Sequence, residues 1–162
     1  HIKIEPVYDT VVDTVNRNFY SKNLLRLDLN KADTLDLQQL RGIGQKYAQM
    51  IVKYRSLLGG YHSTEQLLEV YGMDSSRFNR IRENIFVTTD SIRKIDVNKA
   101  SIKEFIRHPY IEYYLARSIV LYRHNNGNFE SLEDIVNAHL IYQEVFDKLK
   151  PYLVIKNDNF ED

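Results

Sequence analysis

A duplication constrains this chain more than any other feature. The stretch beginning at Leu27, LDLNKADTLDLQQLRGIGQKYAQMIVKYRSLLGGYHSTEQLLEVYG, returns 68 positions later at Ile95 as IDVNKASIKEFIRHPYIEYYLARSIVLYRHNNGNFESLEDIVNAHL, without a gap. Identical pairs include Asn30/Asn98, Lys31/Lys99, Ala32/Ala100, Ala48/Ala116, Tyr54/Tyr122, Arg55/Arg123, Gly59/Gly127 and Ser63/Ser131. A repeat of this length sets the architecture, because each copy must be one folded unit. The copies differ where it matters most: the first holds Arg41-Gly42-Ile43-Gly44 and the second has lost both glycines.

The 162 residues divide into residues 1–26, a first domain at 27–88, the linker Thr88 to Lys94, and a second domain at 95–155. Units this small bury modest cores, so packing between the copies would add stability. Lys+Arg and Asp+Glu both total 22, and this balance argues against a strongly basic nucleic-acid sponge while leaving room for a local anion site. The chain has no cysteine, which excludes disulfides, thiolate catalysis and zinc–cysteine sites. No apolar run approaches the roughly 18 residues of a membrane span. It opens with His1-Ile2-Lys3 and reads as a trimmed piece, so an upstream signal or anchor would lie outside it.

Helical signals dominate. Val7, Val11, Val12, Val15 and Phe19 suggest a helix or an extended lead-in before the repeats, weakened by β-branching. Asn30 with Asp33 at N3 suggests a capped helix carrying Leu37 and Leu40, and Asn98 repeats that cap. After the Gly-Ile-Gly break, Tyr47, Ala48, Ile51 and Val52 mark an amphipathic helix that Gly59-Gly60 ends. Ser63 with Gln66, and Ser131 with Asp134, look like further caps, and Asp74, Ser75 or Ser76 can start the last helix of the first domain. Pro151 falls late enough to close the second.

Gly42-Ile43-Gly44 between two helices has a specific physical use. Glycines permit positive φ and close approach of a ligand to the backbone, while Ile43 can plug the core. A helix starting at Gln45 presents unsatisfied N–H groups, and with the helix dipole these make an anion site. Lys46 and Arg41 can add charge. Such a site contacts phosphate and not base edges, so binding would be independent of sequence. The plainer reading is a tight helix–helix turn and nothing more.

In motif order and spacing the unit resembles the tandem helix-hairpin-helix domain of the ComEA family of competence DNA receptors. The matching residues are Asn30-Lys31-Ala32, Leu40-Arg41-Gly42-Ile43-Gly44, Ala48, Ile51, Tyr54-Arg55, Gly59-Gly60-Tyr61 and Glu65-Gln66-Leu67-Leu68-Glu69-Val70. The resemblance implies an all-α, SAM-domain-like fold of two tandem (helix-hairpin-helix)2 domains after an N-terminal segment. It implies non-catalytic, non-specific binding of double-stranded DNA, outside the cytoplasmic membrane, during DNA uptake. It places phosphate contacts at Arg41, Gly42, Ile43, Gly44, Gln45 and Lys46, with a weaker second hairpin at Gly72, Met73 and Arg77. It implies no cofactor and no small-molecule substrate.

The second copy departs from this pattern. Tyr110 stands for Gly42 and Glu112 for Gly44, and the last hairpin, Ala138-His139-Leu140-Ile141-Tyr142, has no glycine. A carboxylate at that mouth repels phosphate. The second domain therefore reads as a retained fold that orients the first, self-associates or meets a protein partner. Tyr110, Tyr113 and Tyr114 suit packing or partner contact better than base stacking. The histidines His1, His62, His108, His124 and His139 lack ligand spacing and read as surface or structural. Two rival functions remain: a protein-interaction scaffold that has shed DNA binding, and an accessory domain of a DNA repair or nuclease polypeptide.

Overall fold

A computed structural model describes residues 25–156, and the helix expected around Val7 to Phe19 lies outside them. The first repeat runs β1 (Leu27–Asp28), α1 (Thr34–Leu37), α2 (Gln45–Leu58), a 3-10 helix (Thr64–Glu69), α3 (Ser75–Ile81), a 3-10 turn (Arg82–Asn84) and β2 (Ile85–Phe86). The second runs β3 (Ile95–Asp96), α4 (Ile102–Phe105), α5 (Tyr113–Asn126), α6 (Asp134–Asn137), α7 (Gln143–Leu149), a 3-10 turn (Lys150–Tyr152) and β4 (Leu153–Val154). The fold is mostly helical. Its strands are two residues long and close each repeat by joining its ends in parallel, Leu27 beside Ile85 and Ile95 beside Leu153.

The opening of each repeat differs from its expected reading. Asp33, and not Asn30, caps α1: its carboxylate accepts from the N–H groups of Leu35 and Asp36, and Asp36 accepts from Asp33 N. Asn30 is a long-range clasp. Its Nδ2 donates to the carbonyls of Tyr61 and Thr88, both at 2.8 Å, and its Oδ1 accepts from Tyr61 N at 2.7 Å. The copy does the same: Ser101 and Glu104 cap α4, while Asn98 bonds the backbone of Phe129 in both directions. Arg55 adds a second clasp, with Nη1 donating to the carbonyls of Leu29 (2.8 Å) and Ala32 (2.7 Å), and Arg123 reaches Val97 O likewise.

The Ser63–Gln66 box forms as expected, though the helix it opens is a 3-10 helix. Asp134 accepts from Ser131 N and Glu130 N, and α6 begins only at Asp134 itself. Apolar side chains on the inner faces, among them Leu29, Leu37, Ile51, Leu67, Ile81, Phe105, Ile119 and Leu149, are fully buried. They belong to one continuous core that runs through both repeats.

The linker is docked on the first repeat. Gly59 ends α2 in the left-handed region (φ 86°), and its carbonyl accepts from Arg93 N at 2.8 Å. A Cβ at Gly59 would lie 3.0 Å from the Arg93 carbonyl, and one at Gly60 would lie 3.2 Å from Ile92. These glycines therefore stop a helix and admit the linker.

Candidate nucleic-acid interface

The first hairpin combines a buried anchor with an exposed, glycine-flanked turn. Ile43 is 3% exposed and anchors the turn in the core, while Arg41, Gly42, Gly44, Gln45 and Lys46 are exposed. Gly42 has φ 86°, which requires glycine. Gly44 is different: as N-cap of α2 it has φ −88°, not the positive φ that the motif suggested. A Cβ there would meet nothing within 4 Å. Neither backbone strain nor internal packing asks for glycine at Gly44. No side chain caps α2 either, so its first N–H groups face outward beside Lys46.

The second hairpin lies against the first. Gly72 has φ 80°, and a Cβ on it would sit 3.3 Å from the Tyr47 ring. Met73 is buried, playing the part of Ile43. At the N-terminus of α3, however, the Asp74 carboxylate accepts from Arg77 N at 2.7 Å, so the cap position already holds an anion. Arg77 binds the two turns together. Its guanidinium stacks 4.1 Å from the centroid of the Tyr47 ring and donates to Gly72 O at 2.9 Å and to Gly42 O at 3.3 Å. Arg77 belongs to the second hairpin by sequence, and nothing local marks this clamp, because Gly42 and Tyr47 are far from it along the chain.

In the second repeat the hairpins take other conformations. Among the described non-glycine residues only His139 has positive φ (55°), so Tyr110 does not reproduce the backbone of Gly42. Ile111 is still buried, and Glu112 sits exposed at the N-cap of α5, a fixed negative charge where Gly44 stands in the first copy. Tyr110 turns inward onto the first repeat. Its hydroxyl accepts from Gln66 Nε2 at 2.8 Å and donates to the Glu69 carboxylate at 2.7 Å, which Tyr54 also reaches at 2.6 Å. Burial, and then the neighbouring Glu69, hold the Tyr110 hydroxyl above its ordinary pKa, so it remains a donor.

Gln66 also donates to the Tyr152 hydroxyl (2.8 Å), which in turn donates a hydrogen bond to Gly60 O (2.8 Å). His108 completes this junction. It is 3% exposed, its ring lies 4.5 Å from that of Tyr152, and its Nδ1 accepts from Tyr110 N. Burial first, and the charge of Arg93 second, lower its pKa to about 4 and keep it neutral. It is a structural histidine. Tyr113 and Tyr114, by contrast, stand exposed at the start of α5, with rings 5.9 Å apart.

Among the described residues no group of three or more His, Asp or Glu side chains is placed to hold a metal ion. No helix among them is long and apolar enough to cross a membrane.

Comparison with known proteins agrees with this geometry. The helix-hairpin-helix motif family matches residues 22–86 and again 90–154. The zebrafish (Danio rerio) endonuclease/exonuclease/phosphatase family domain-containing protein 1 is 28% identical over 146 residues, covering 79% of this chain and 26% of its own length. The human protein of that name is 24% identical over 157 residues, covering 79% and 28%. An uncharacterized protein of Haemophilus influenzae is 39% identical over 61 residues, 37% of this chain and 54% of its own. The chain thus spans 26% and 28% of the length of these two animal relatives. No solved structure matches.

Proposed function

The chain belongs to the helix-hairpin-helix family, whose motif implies DNA binding that ignores sequence, and from that premise we propose that its first hairpin pair holds duplex DNA by the phosphate backbone. Gly44 carries this reading. It is a glycine that neither φ nor packing requires, at the uncapped start of a 14-residue helix, with open space where its Cβ would be. Close approach of an external backbone or anion is what such a position serves. Gly42, Gln45 and Lys46 share the contact, Arg41 adds charge, Ile43 fixes the turn, and Arg77 holds the neighbouring hairpin with Gly72 and Met73 in place. The matched span holds helix-hairpin-helix motifs alone and no catalytic domain.

Gly44→Glu combined with Lys46→Ala should abolish binding of random duplex in a low-salt shift assay. Wild-type affinity should fall as salt rises, as counterion release requires. Unchanged affinity in the double variant would refute the assignment, and absence of duplex binding by the wild type would favour the scaffold reading.

A second reading concerns setting. The matched animal relatives are several times longer than this chain and carry nuclease and phosphatase terms in their name, which supports a DNA-holding part of a longer polypeptide. The competence-receptor resemblance supports DNA uptake outside the cytoplasmic membrane instead. The full-length gene separates them: a catalytic neighbour supports the first, an N-terminal signal or anchor the second.

A further inference from the structure

At the far end of α2 from the hairpin, the two repeats and their linker enclose a cleft of about 470 Å³. Leu58 forms its wall on the first repeat, and with 14 residues in α2 it lies roughly 20 Å from Gly44. The cleft is rich in cations: Arg93 and Lys94 from the linker, Lys99 and Arg107 from the second repeat, and Lys156 beyond β4. Only two carboxylates line it, Asp96 and Glu104, and Glu104 is engaged by the Ser101 cap.

The duplication supplies an internal control. The same positions in the first repeat hold Leu25, Gln39 and Thr88 where the second has Arg93, Arg107 and Lys156. Arg26, Lys31, Asp28 and Asp36 match Lys94, Lys99, Asp96 and Glu104 in sign. The first copy is therefore balanced here, and the second has gained three positive charges in a chain whose net charge is zero. The change also removes a hydrogen-bond donor to the aspartate. Thr88 donates to Asp28 through both its hydroxyl and its N–H, whereas Asp96 Oδ2 makes no hydrogen bond.

We infer that this cleft binds a phosphate oxyanion, gripped by Arg93, Arg107 and Lys156. A recess lined by one sign of charge concentrates counter-ions, and guanidinium groups match phosphate oxygens in pairs. The phosphate belongs either to a small compound such as a nucleotide or to a nucleic-acid strand, and both present the same oxygens. The site does not depend on the hairpin. In the second copy the anion-binding character has left the hairpin, where Glu112 stands, and reappears at the opposite end.

The test is NMR titration of the 162-residue chain with pyrophosphate, with AMP and with random duplex, at constant ionic strength set by sodium chloride. Saturable shifts around Arg93, Arg107 and Lys156 are expected with pyrophosphate. Arg107→Gln with Lys156→Thr, the residues of the first repeat, should weaken them about tenfold or more. Arg93→Leu, the first repeat's residue there, is an independent variant should the pair prove unstable. AMP shifting the same signals without displacement by duplex identifies a small ligand; displacement by duplex identifies a strand, and either supports the site. Gly44→Glu with Lys46→Ala should leave these shifts intact, which separates this site from the hairpin. No saturable shift with any of the three probes, or equal binding by the reverted variants, would overturn the inference.

Discussion

The hydroxyl of Tyr110, the residue that replaces Gly42 in the second repeat, accepts a hydrogen bond from Gln66 Nε2 in the first repeat at 2.8 Å. The hairpin that lost its glycines has become the seam between the copies. Tyr110→Phe should cost about 1 kcal/mol in urea unfolding, because Gln66 keeps Tyr152 and Glu69 keeps Tyr54. Tyr110→Gly should restore the glycine without creating a second DNA site, since Glu112 remains; stronger duplex binding by that variant would contradict this account.

Arg77 predicts a separation of affinity from salt dependence. Arg77 clamps Gly42 O and Gly72 O, and on that geometry it is expected to shape the first hairpin rather than to contact phosphate. Arg77→Met should weaken duplex binding roughly tenfold while leaving the salt slope unchanged, and Arg77→Lys should not rescue it, because an ammonium lacks the fork. Lys46→Ala should instead lower the slope by about 1. A drop in slope with Arg77→Met would make Arg77 a phosphate contact.

Asn30→Asp distinguishes a clasp from a cap. At a helix N-cap, aspartate substitutes well for asparagine. Here it would remove both donations from Nδ2, to Tyr61 O and Thr88 O, and set a carboxylate against those carbonyls. A loss of about 2–4 kcal/mol is expected from the unpaired buried groups, measured by chemical denaturation. Asp33→Ala, at the true cap, should cost only about 1 kcal/mol.

His108 sets an acid limit. Its folded pKa of about 4 lies below the ordinary 6.5, so the unfolded chain takes up the proton first. Its contribution is present in full above pH 6.5 and is lost as pH falls towards about 4. The total is at most about 3 kcal/mol. His108→Leu, the residue at the matching position Leu40, should flatten stability between those limits relative to wild type. Parallel pH profiles for the two proteins would refute the assignment.

Much of this was legible in the sequence because it is local. Gly42-Ile43-Gly44, the helix starting at Gln45, the buried Ile43 and the Ser63–Gln66 box all depend on neighbours within a few residues. Asn30 suits a cap by spacing as well as Asp33 does, and its partners, Tyr61 and Thr88, are not revealed by local spacing. The Tyr110–Glu69 and Arg77–Gly42 contacts were hidden for the same reason. His139 shows another limit: a non-glycine residue takes the left-handed conformation with no mark in its identity.

The linker on Gly59 and Gly60 bears on how the molecule engages anything large. A free tether lets two binding modules search for their targets independently, and ordering it costs entropy at the moment of binding. Here that configurational freedom is surrendered when the chain folds, since Arg93 N is already bonded to Gly59 O. The hairpin at Gly44 and the cleft around Lys156 are thus presented at one separation and one angle, as two marks on a single ruler.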